Sequence, residues 1–380
     1  MSIQVGHIPA LTWNRLKVNS AEVTGDLTGG SAVRTRFQRL PDGISHAQIS
    51  RAAAKEWLLC HAPSEPAEAV VAGKTPVYHP QSFGTGLGAQ YDTVLEEAGF
   101  PVQLLEVAPG TKASDPVLWS IEYPDKTSSV QEQIVHVGED AEVILILSCH
   151  SGAWAAGTAL ISTKIVLEPR ARLHLVKTQM LGDGFLFLDD TGAALREEAE
   201  LSMTQVELGG EKAYIGVQPE LVGDRSSFDI KLYYLGMEER LYDFNYNVVH
   251  RGRRTKSRLS FDGVLGDRCE KTLRDTIDFR RGSAGSKGRE EEDVLVLSDA
   301  IVNRSMPIIL CEEEDVEGSH GATIGRMDEE VLFYLASRGI DQDEAIRMMV
   351  RARLSSIAGD IPDKTLRAEL MARAEEEFGE

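Results

Sequence analysis

The stretch Phe228-Asp229-Ile230-Lys231-Leu232-Tyr233-Tyr234 alternates apolar and more polar side chains. In an extended chain, its first, third, fifth and seventh residues lie on one face and the others on the opposite face. Residues 258–265 repeat the pattern, with an apolar or glycine residue at every second position. Both stretches therefore predict β-strands with one buried face.

Strand-like segments recur along the middle of the chain. They begin near Ala141, Ala171, Ala199, Ser226 and Thr255, so the rhythm repeats about every 27–30 residues. This period is long enough for a strand–turn–strand unit and is typical of a β-solenoid, in which each coil packs on its neighbours. A β-sandwich would also give many short alternating strands, so the pattern alone leaves both architectures open.

The first 90 residues mix helical and irregular signals. Apolar residues at helical spacing predict an amphipathic helix from Ser45 to Leu59. The four prolines and several glycines between Ala62 and Gly88 predict a loop-rich passage.

The last part of the chain predicts three short helices. Asp328 can cap the first, which would run to Ser337 and end at Gly339. Asp341 and Glu344 form a capping box for the second. Its predicted apolar face is Ala345, Met348, Met349 and Ala352, and the third helix would run from Pro362, in its first turn, to Phe378. Helices in this position could cap the end of a solenoid.

The overall composition indicates which partners and which cell compartment to expect. The 380 residues carry 60 acidic and 40 basic side chains, a formal charge of −20, which argues against nucleic acid or an anionic membrane as the main partner. No run of 18 apolar residues is present, and the start lacks a basic segment ahead of an apolar one. The four cysteines are far apart, as expected for reduced thiols. We therefore expect a cytoplasmic protein.

Two adjoining motifs near the C-terminus are the most specific signal. Gly318-Ser319-His320-Gly321-Ala322-Thr323-Ile324-Gly325 predicts a glycine-flanked loop around one histidine, and Leu332-Phe333-Tyr334-Leu335-Ala336-Ser337-Arg338-Gly339-Ile340 follows it. Together they resemble the C-terminal signature of the SufB/SufD family of iron–sulfur cluster assembly proteins. Residues 292–299, 307–310 and 341–345 extend the resemblance, and residues 13–19 look like the family's short tryptophan motif.

This resemblance implies a mainly β fold. The expected architecture is a right-handed parallel β-helix over residues 91–316. An N-terminal helical and irregular region would occupy residues 1–90, and a C-terminal helical region residues 317–380.

The resemblance also implies a function. The chain would be a SufD-like scaffold without catalytic activity of its own, working with a SufB-like subunit and a SufC-like ABC ATPase. The ATPase would dock on the C-terminal helices, for which Phe333, Tyr334, Arg338 and Gly339 are the candidate residues. An iron–sulfur cluster or iron would be held transiently at a subunit interface. The glycine-rich residues 282–288 lack the spacing of a phosphate-binding loop, so ATP hydrolysis would come from a partner.

His320 is the leading candidate for iron binding or cluster assembly. Neutral imidazole is a good iron ligand and can shuttle protons near neutral pH. By resemblance, SufB-like chains follow this histidine with glutamate, whereas Gly321 matches SufD-like chains. Glu292 stands where SufB-like chains carry a scaffold cysteine, and Gly318 where many SufD-like loops carry a cysteine. A carboxylate cannot accept a persulfide sulfur, so His320 would need ligands from another chain.

Other side chains are weaker candidates. Glu292 itself is one of them. Cys311 ends an apolar strand, where a buried inert thiol is expected, and Cys269 lies in a polar turn. Cys149 and His150 are neighbours, but consecutive residues of a strand point to opposite faces. The acidic run at 290–292 predicts a solvated turn.

Two alternatives stay open. The chain could form a homodimeric scaffold that binds iron or a cluster by itself. It could instead be a β-helix enzyme acting on polysaccharide, with carboxylates such as Asp224, Asp229, Asp243 and Asp262 on one exposed face.

Overall fold

The computed structural model describes residues 1–10, 16–38, 40–61 and 83–379. Residues 13–15 of the tryptophan motif and residues 62–82 of the loop-rich passage lie outside these ranges. The strands are β1 Ser2–Val5, β2 Ala21–Thr24, β3 Ser31–Ala32, β4 Arg34–Phe37, β5 Ile44–Ile49, β6 Val102–Val107, β7 Val117–Glu122, β8 Thr127–Val137, β9 Glu142–His150, β10 Ala156–Leu167, β11 Arg172–Met180, β12 Gly184–Leu195, β13 Glu200–Glu207, β14 Lys212–Leu221, β15 Ser227–Gly236, β16 Leu241–His250, β17 Lys256–Leu265, β18 Glu270–Phe279, β19 Ser286–Val296, β20 Val302–Cys311 and β21 Val316–Gly325. The helices are α1 Arg51–His61, α2 Ala89–Ala98, α3 Glu329–Ser337, α4 Gln342–Asp360 and α5 Lys364–Gly379.

The strands from β6 onward alternate between two sheets. The even-numbered strands from β6 to β20 form one sheet, which β5 extends beyond β6 and in which β3 lies beside β8; its order is β20-β18-β16-β14-β12-β10-β8-β6-β5. The odd-numbered strands from β7 to β21 form the other sheet, which β4 extends beyond β7; its order is β21-β19-β17-β15-β13-β11-β9-β7-β4. We call them the even-numbered and the odd-numbered sheet. Neighbours in each sheet are parallel from β6 and β7 onward, for example β10 with β12 and β9 with β11. The fold is therefore a parallel β-solenoid of about eight turns, which confirms the expected class and excludes the sandwich. Strand starts at residues 142, 172, 200, 227 and 256 confirm the predicted period.

A repeated turn holds the coils in register at one corner. Asp140, Arg170, Glu198, Arg225 and Arg254 all have positive φ values between 56° and 60°. Their backbone N–H groups donate along the solenoid axis to the next coil, as from Arg170 to the Glu197 carbonyl at 2.8 Å. A non-glycine residue in this conformation costs on the order of 1 kcal/mol, so the axial hydrogen bond offsets a real strain.

The N-terminal region closes the first end of the solenoid. β5 pairs antiparallel with β6 and β4 pairs antiparallel with β7, so each sheet ends in a reversed strand. The helix predicted from Ser45 is wrong at its start, because Ile44–Ile49 is this closing strand and the helix begins at Arg51. Strand pairing at an otherwise open edge overrides the helical spacing there.

The N-terminal region also covers the outer face of the even-numbered sheet. β1, β2 and α2 contribute Val5, Val23 and Tyr91 to a cluster with Leu160 and Leu188 of the sheet. The Tyr91 hydroxyl donates to the backbone carbonyls of Ile161 and Leu188 at 3.2 and 3.1 Å.

The C-terminal helices α4 and α5 lie on the outer face of the odd-numbered sheet. Val350, Leu354 and Leu370 pack against Val176 and Val206. The expectation that these helices cap the solenoid end is therefore wrong for α4 and α5. Apolar spacing identifies a helix, but it does not say which surface the helix covers.

The predicted helix caps are confirmed in part. The side chain of Asp328 accepts from the Glu330 N–H and that of Asp341 from the Glu344 N–H, both at 2.8 Å. The third helix begins at Lys364, so Pro362 precedes its first turn, and the side chain of Asp363 caps it by accepting from the Leu366 N–H.

The predicted apolar face of α4 is correct only at Ala345. Met348 and Met349 are exposed, whereas Val350 and Leu354 are buried against the sheet. Among the described residues, no helix is long and apolar enough to cross a membrane.

Candidate functional site at the open end of the solenoid

The second end of the solenoid is left open by β20 and β21. Each is the outermost strand of its sheet, and β21 is exposed along nearly its whole length. β21 also carries the sheet past residue 316, where the sequence placed the end of the β-helix. The loop predicted around His320 is wrong, since this histidine lies in the middle of β21.

Glycine explains why residues 318–325 resembled a loop. None of Gly318, Gly321 and Gly325 has a positive φ, so no turn requires them. A Cβ atom on Gly318 would lie 2.9 Å from Cγ2 of Ile309. This glycine therefore serves close packing between the two last strands.

Side chains that share a register position on neighbouring strands form rows along the solenoid axis. In the odd-numbered sheet, the inward-facing rows change from apolar to polar side chains near this end. Parallel partners point to the same side of a sheet, so register identifies each row. One row runs from Leu259 through Glu290 to His320. The next runs from Phe261 through Glu292 to Ala322. The interior is thus apolar in the coil of β17, acidic in that of β19, and carries His320 on the outermost strand.

The even-numbered sheet contributes Lys271 and Asp275 to the same interior. The Lys271 ammonium pairs with the Glu292 carboxylate and donates to Oγ of Ser305 at 3.0 Å. Oδ1 of Asp275 is buried and has no hydrogen-bond partner among the described residues. Sequence reasoning missed this cluster because the acidic run at 290–292 was interpreted as a turn. The run is part of a strand in which Glu290 and Glu292 point inward.

Burial controls the charge of this interior. Burial, reinforced by the neighbouring carboxylates, raises the pKa of Glu290 to about 8 and that of Asp275 to about 7. Burial also lowers the pKa of Lys271, against the attraction of Glu292. Near neutral pH both the protonated and the ionised forms of Glu290 and Asp275 are therefore accessible.

His320 is not part of a metal-binding group within the described residues. It is exposed and its side chain makes no hydrogen bond within the described part of the chain. No group of three or more histidine, cysteine, aspartate or glutamate side chains in those residues could hold a metal ion. A metal ion bound at His320 would need further ligands from outside the described residues.

The cysteines differ from expectation at one position. Cys311 is exposed, not buried as expected, because it ends an edge strand that no further coil covers. Cys269 is buried, which raises the pKa of its thiol to about 12. Cys149 is buried while His150 is only partly buried, as the predicted alternation requires. Cys311 is thus the accessible thiol of the last coil.

The predicted docking residues lie on and after α3. Phe333 is 78% exposed and Tyr334 56% exposed. The Arg338 guanidinium lies over the Tyr334 ring, 5.3 Å from its centre, and Gly339 has a φ of 87° just after the helix. No residue of α3 is buried, so this helix presents an unusually apolar exposed surface.

The acids considered for polysaccharide cleavage do not share one exposed face. Asp243 is buried on the even-numbered sheet, where Arg274 pairs with it. Asp262 lies on the odd-numbered sheet and pairs with Arg353 of α4 at 2.5 Å. Opposed carboxylates flanking one substrate bond are therefore not formed by this set.

The chain is thus a parallel β-solenoid protein that antiparallel strands close at one end, with helices on both outer faces. Residues 121–353 match the family described as "SUF system FeS cluster assembly, SufBD core domain". The chain therefore belongs to the SufBD family, whose proteins take part in iron–sulfur cluster assembly.

Individual relatives agree with this assignment. The iron–sulfur cluster assembly protein SufD of Bacillus subtilis (strain 168) is 28% identical over 152 residues, 40% of this chain and 35% of that protein. A SufBD family protein of Mycobacterium leprae (strain TN) is 26% identical over 272 residues, 69% of this chain and 68% of the relative. A chloroplastic SufBD family protein of Arabidopsis thaliana is 24% identical over 183 residues, 48% of this chain and 33% of the relative. The matches to the Bacillus and Arabidopsis proteins thus span about a third of each of those chains.

Proposed function

We propose that this chain is the SufD-like scaffold subunit of a cytoplasmic SUF-type complex, without catalytic activity of its own. A SufB-like chain would meet its open end, and a SufC-like ABC ATPase would bind α3. The observation that carries the proposal is His320, exposed on the inward row of the outermost strand β21, whose outer edge has no partner strand. A second chain placed against this edge would bring its own side chains beside the imidazole.

His320 would act as an interfacial ligand or proton relay for the assembling cluster, which is cargo and not a resident cofactor. The other candidate residues of this chain are less suited to bind the cluster than His320. Glu292 is held by Lys271, and the buried Cys269 thiol is a poor nucleophile because its pKa is raised. Cys311 is accessible but stands alone, since no metal-binding group forms around it within the described residues. The remaining ligands and the sulfur acceptor would come from the SufB-like partner.

The exposed apolar surface of α3 supports the ATPase contact. Phe333 and Tyr334 are large, exposed and adjacent to the fixed Arg338, which is the composition of an interface core. Dimerisation of the ATPase on ATP would pull two such helical ends together and shear the scaffold interface.

Co-purification tests the proposal. Tagged protein isolated from its native host is expected to recover an ABC-type ATPase and a SufB-like chain. Failure to recover either partner under gentle, anaerobic conditions would remove the proposal of this complex.

A homodimeric scaffold is the second candidate, because the open edge could pair with a copy of itself. Anaerobic reconstitution of the isolated chain separates the two. A stable cluster detected by absorption spectroscopy would favour the homodimer, whereas no retained cluster is expected for the SufD-like subunit.

A further inference from the structure

A cavity far from the open end lies between α1 and α2, over the outer face of the even-numbered sheet. Its volume is about 330 Å³, at the lower end of the range for small-molecule sites. Its sheet strands are β10 and β8, which are five and six positions from the edge strand β20. We call it the helix cleft, lined by Arg51, Ala54, Lys55, Leu58, Leu59, Phe83, Ala89, Asp92, Thr93, Leu95, Glu96, Glu132 and Lys164.

Charges of both signs form the floor of the helix cleft. Nη2 of Arg51 donates to Oε2 of Glu132 at 2.8 Å. Nζ of Lys164 lies 3.5 Å from Oε1 of Glu132 and 3.4 Å from Oδ1 of Asp92. Both Lys164 distances are longer than a good ammonium–carboxylate hydrogen bond. The floor is therefore neutral overall, but its lysine is loosely held.

Two floor atoms lack a hydrogen bond of good geometry, although Lys164 lies near one of them. Nε of Arg51 and Oδ1 of Asp92 are buried, and neither has a hydrogen-bond partner among the described residues. One is a donor and the other an acceptor. Burial also raises the pKa of the Asp92 carboxyl, against the attraction of Lys164. The Arg51 and Asp92 side chains are themselves partly exposed, so a ligand that carries both an acceptor and a donor would complement this floor.

The walls of the helix cleft are apolar. Ala54, Leu58 and Leu59 line it from α1, Leu95 from α2, and Phe83 from the segment before α2. A neutral floor favours a ligand with no net charge, and an apolar wall favours a ligand with a hydrocarbon body.

We propose that the helix cleft binds a free α-amino acid with an apolar side chain. Its carboxylate accepts from Arg51 and Lys164, its ammonium donates to the Asp92 carboxylate, and its side chain packs on Leu58 and Phe83. The site lies outside the proposed cluster-assembly surface, so it stands or falls independently of the proposed function.

Calorimetric titration of the full chain tests the proposal with L-leucine and L-phenylalanine as probes. Saturable binding is expected for at least one. N-acetyl-leucine lacks the ammonium and leucinamide lacks the carboxylate, so each should bind about tenfold more weakly than L-leucine or worse. No binding of either amino acid at about 10 mM, or binding of the two derivatives as tight as that of L-leucine, would overturn the proposal.

Two variants locate the site. Asp92→Asn removes the acceptor charge at constant size, and Thr93→Trp places a large ring at the rim of the cleft from an exposed position. Each is expected to weaken L-leucine binding about tenfold or more. Glu97→Gln, an exposed change on the same helix outside the cleft, should bind as the native chain does. If Asp92→Asn does not fold, the test rests on Thr93→Trp. Native affinity of that variant for L-leucine would refute the site.

Discussion

At the scale of single residues, the acidic interior beneath the open end makes stability depend on pH. Glu290 is 3% exposed and its pKa is raised to about 8, so the folded chain holds this proton more tightly than the unfolded chain does. Stability from this group is complete below the ordinary glutamate pKa and is lost as pH rises towards 8.

Glu290→Gln, which mimics the protonated acid, should therefore remove part of this pH dependence. Between pH 5 and 8 the native chain should lose up to about 1.4 kcal/mol per pH unit relative to the variant. Urea unfolding across that range measures the difference. Glu291→Gln, on the exposed side of the same strand, is the control and should leave the slope unchanged. Identical slopes for Glu290→Gln and the native chain would contradict the buried acid.

His320→Ala separates a chemical role from a structural one. The imidazole is exposed and packs little, so the melting temperature and partner recovery should stay native while cluster assembly in cells is lost. His7→Ala, at an exposed histidine of the N-terminal region, should keep full activity. A fall in complex yield with unchanged activity per complex would assign His320 to structure.

The two residues also show what could be predicted from the sequence. His320 was identified because its glycine-rich motif is distinctive, although its local structure was misjudged. Glu290 was missed because three consecutive glutamates look like a solvated turn. The charged run Arg289, Glu290, Glu291 and Glu292 shows no alternation of polarity that would indicate a strand with acids inside, and burial of a carboxylate is rare enough to count against that interpretation.

At the scale of elements, α3 is the exposed helix whose surface should bind the ATPase. Phe333→Ala combined with Tyr334→Ala is expected to weaken binding of the ATPase subunit by at least about tenfold, because aromatic anchors dominate such interfaces. The melting temperature should not change, since both side chains are largely solvent-exposed in the isolated chain.

Trp154→Ala provides the matched control for this measurement. Trp154 is 89% exposed in the turn between β9 and β10, on a different part of the surface. Surface plasmon resonance with the purified ATPase should show native binding for it. Equal losses in both variants would mean that general surface hydrophobicity, not α3, drives the contact.

Elements were predicted with uneven success, and the cause is physical. The period of about 27–30 residues and the caps at Asp328 and Asp341 follow from local chemistry and are confirmed. The closing strand Ile44–Ile49 and the sheet contacts of α4 depend on partners distant in sequence. Local patterns carry no information about those partners.

At the scale of the whole molecule, the open end should pair with another scaffold chain. Without a partner subunit, we expect the isolated chain to form a dimer through β20 and β21. Ile324→Glu places a charge on the exposed inward row of β21 and should give monomers in sedimentation velocity. Ser319→Glu, on the outward row of the same strand, should remain dimeric. A monomeric native chain, or a dimer unaffected by Ile324→Glu, would argue against this edge.

The reversed strands β4 and β5 bear on how many chains such an assembly can hold. A solenoid with two exposed parallel ends could stack head to tail without limit, and non-closing contacts of that kind generate filaments. Here the first end finishes in antiparallel pairs, so it offers no matching template to the last coil of another molecule. We therefore expect growth to stop once two last coils have met, which would limit the particle to two solenoids.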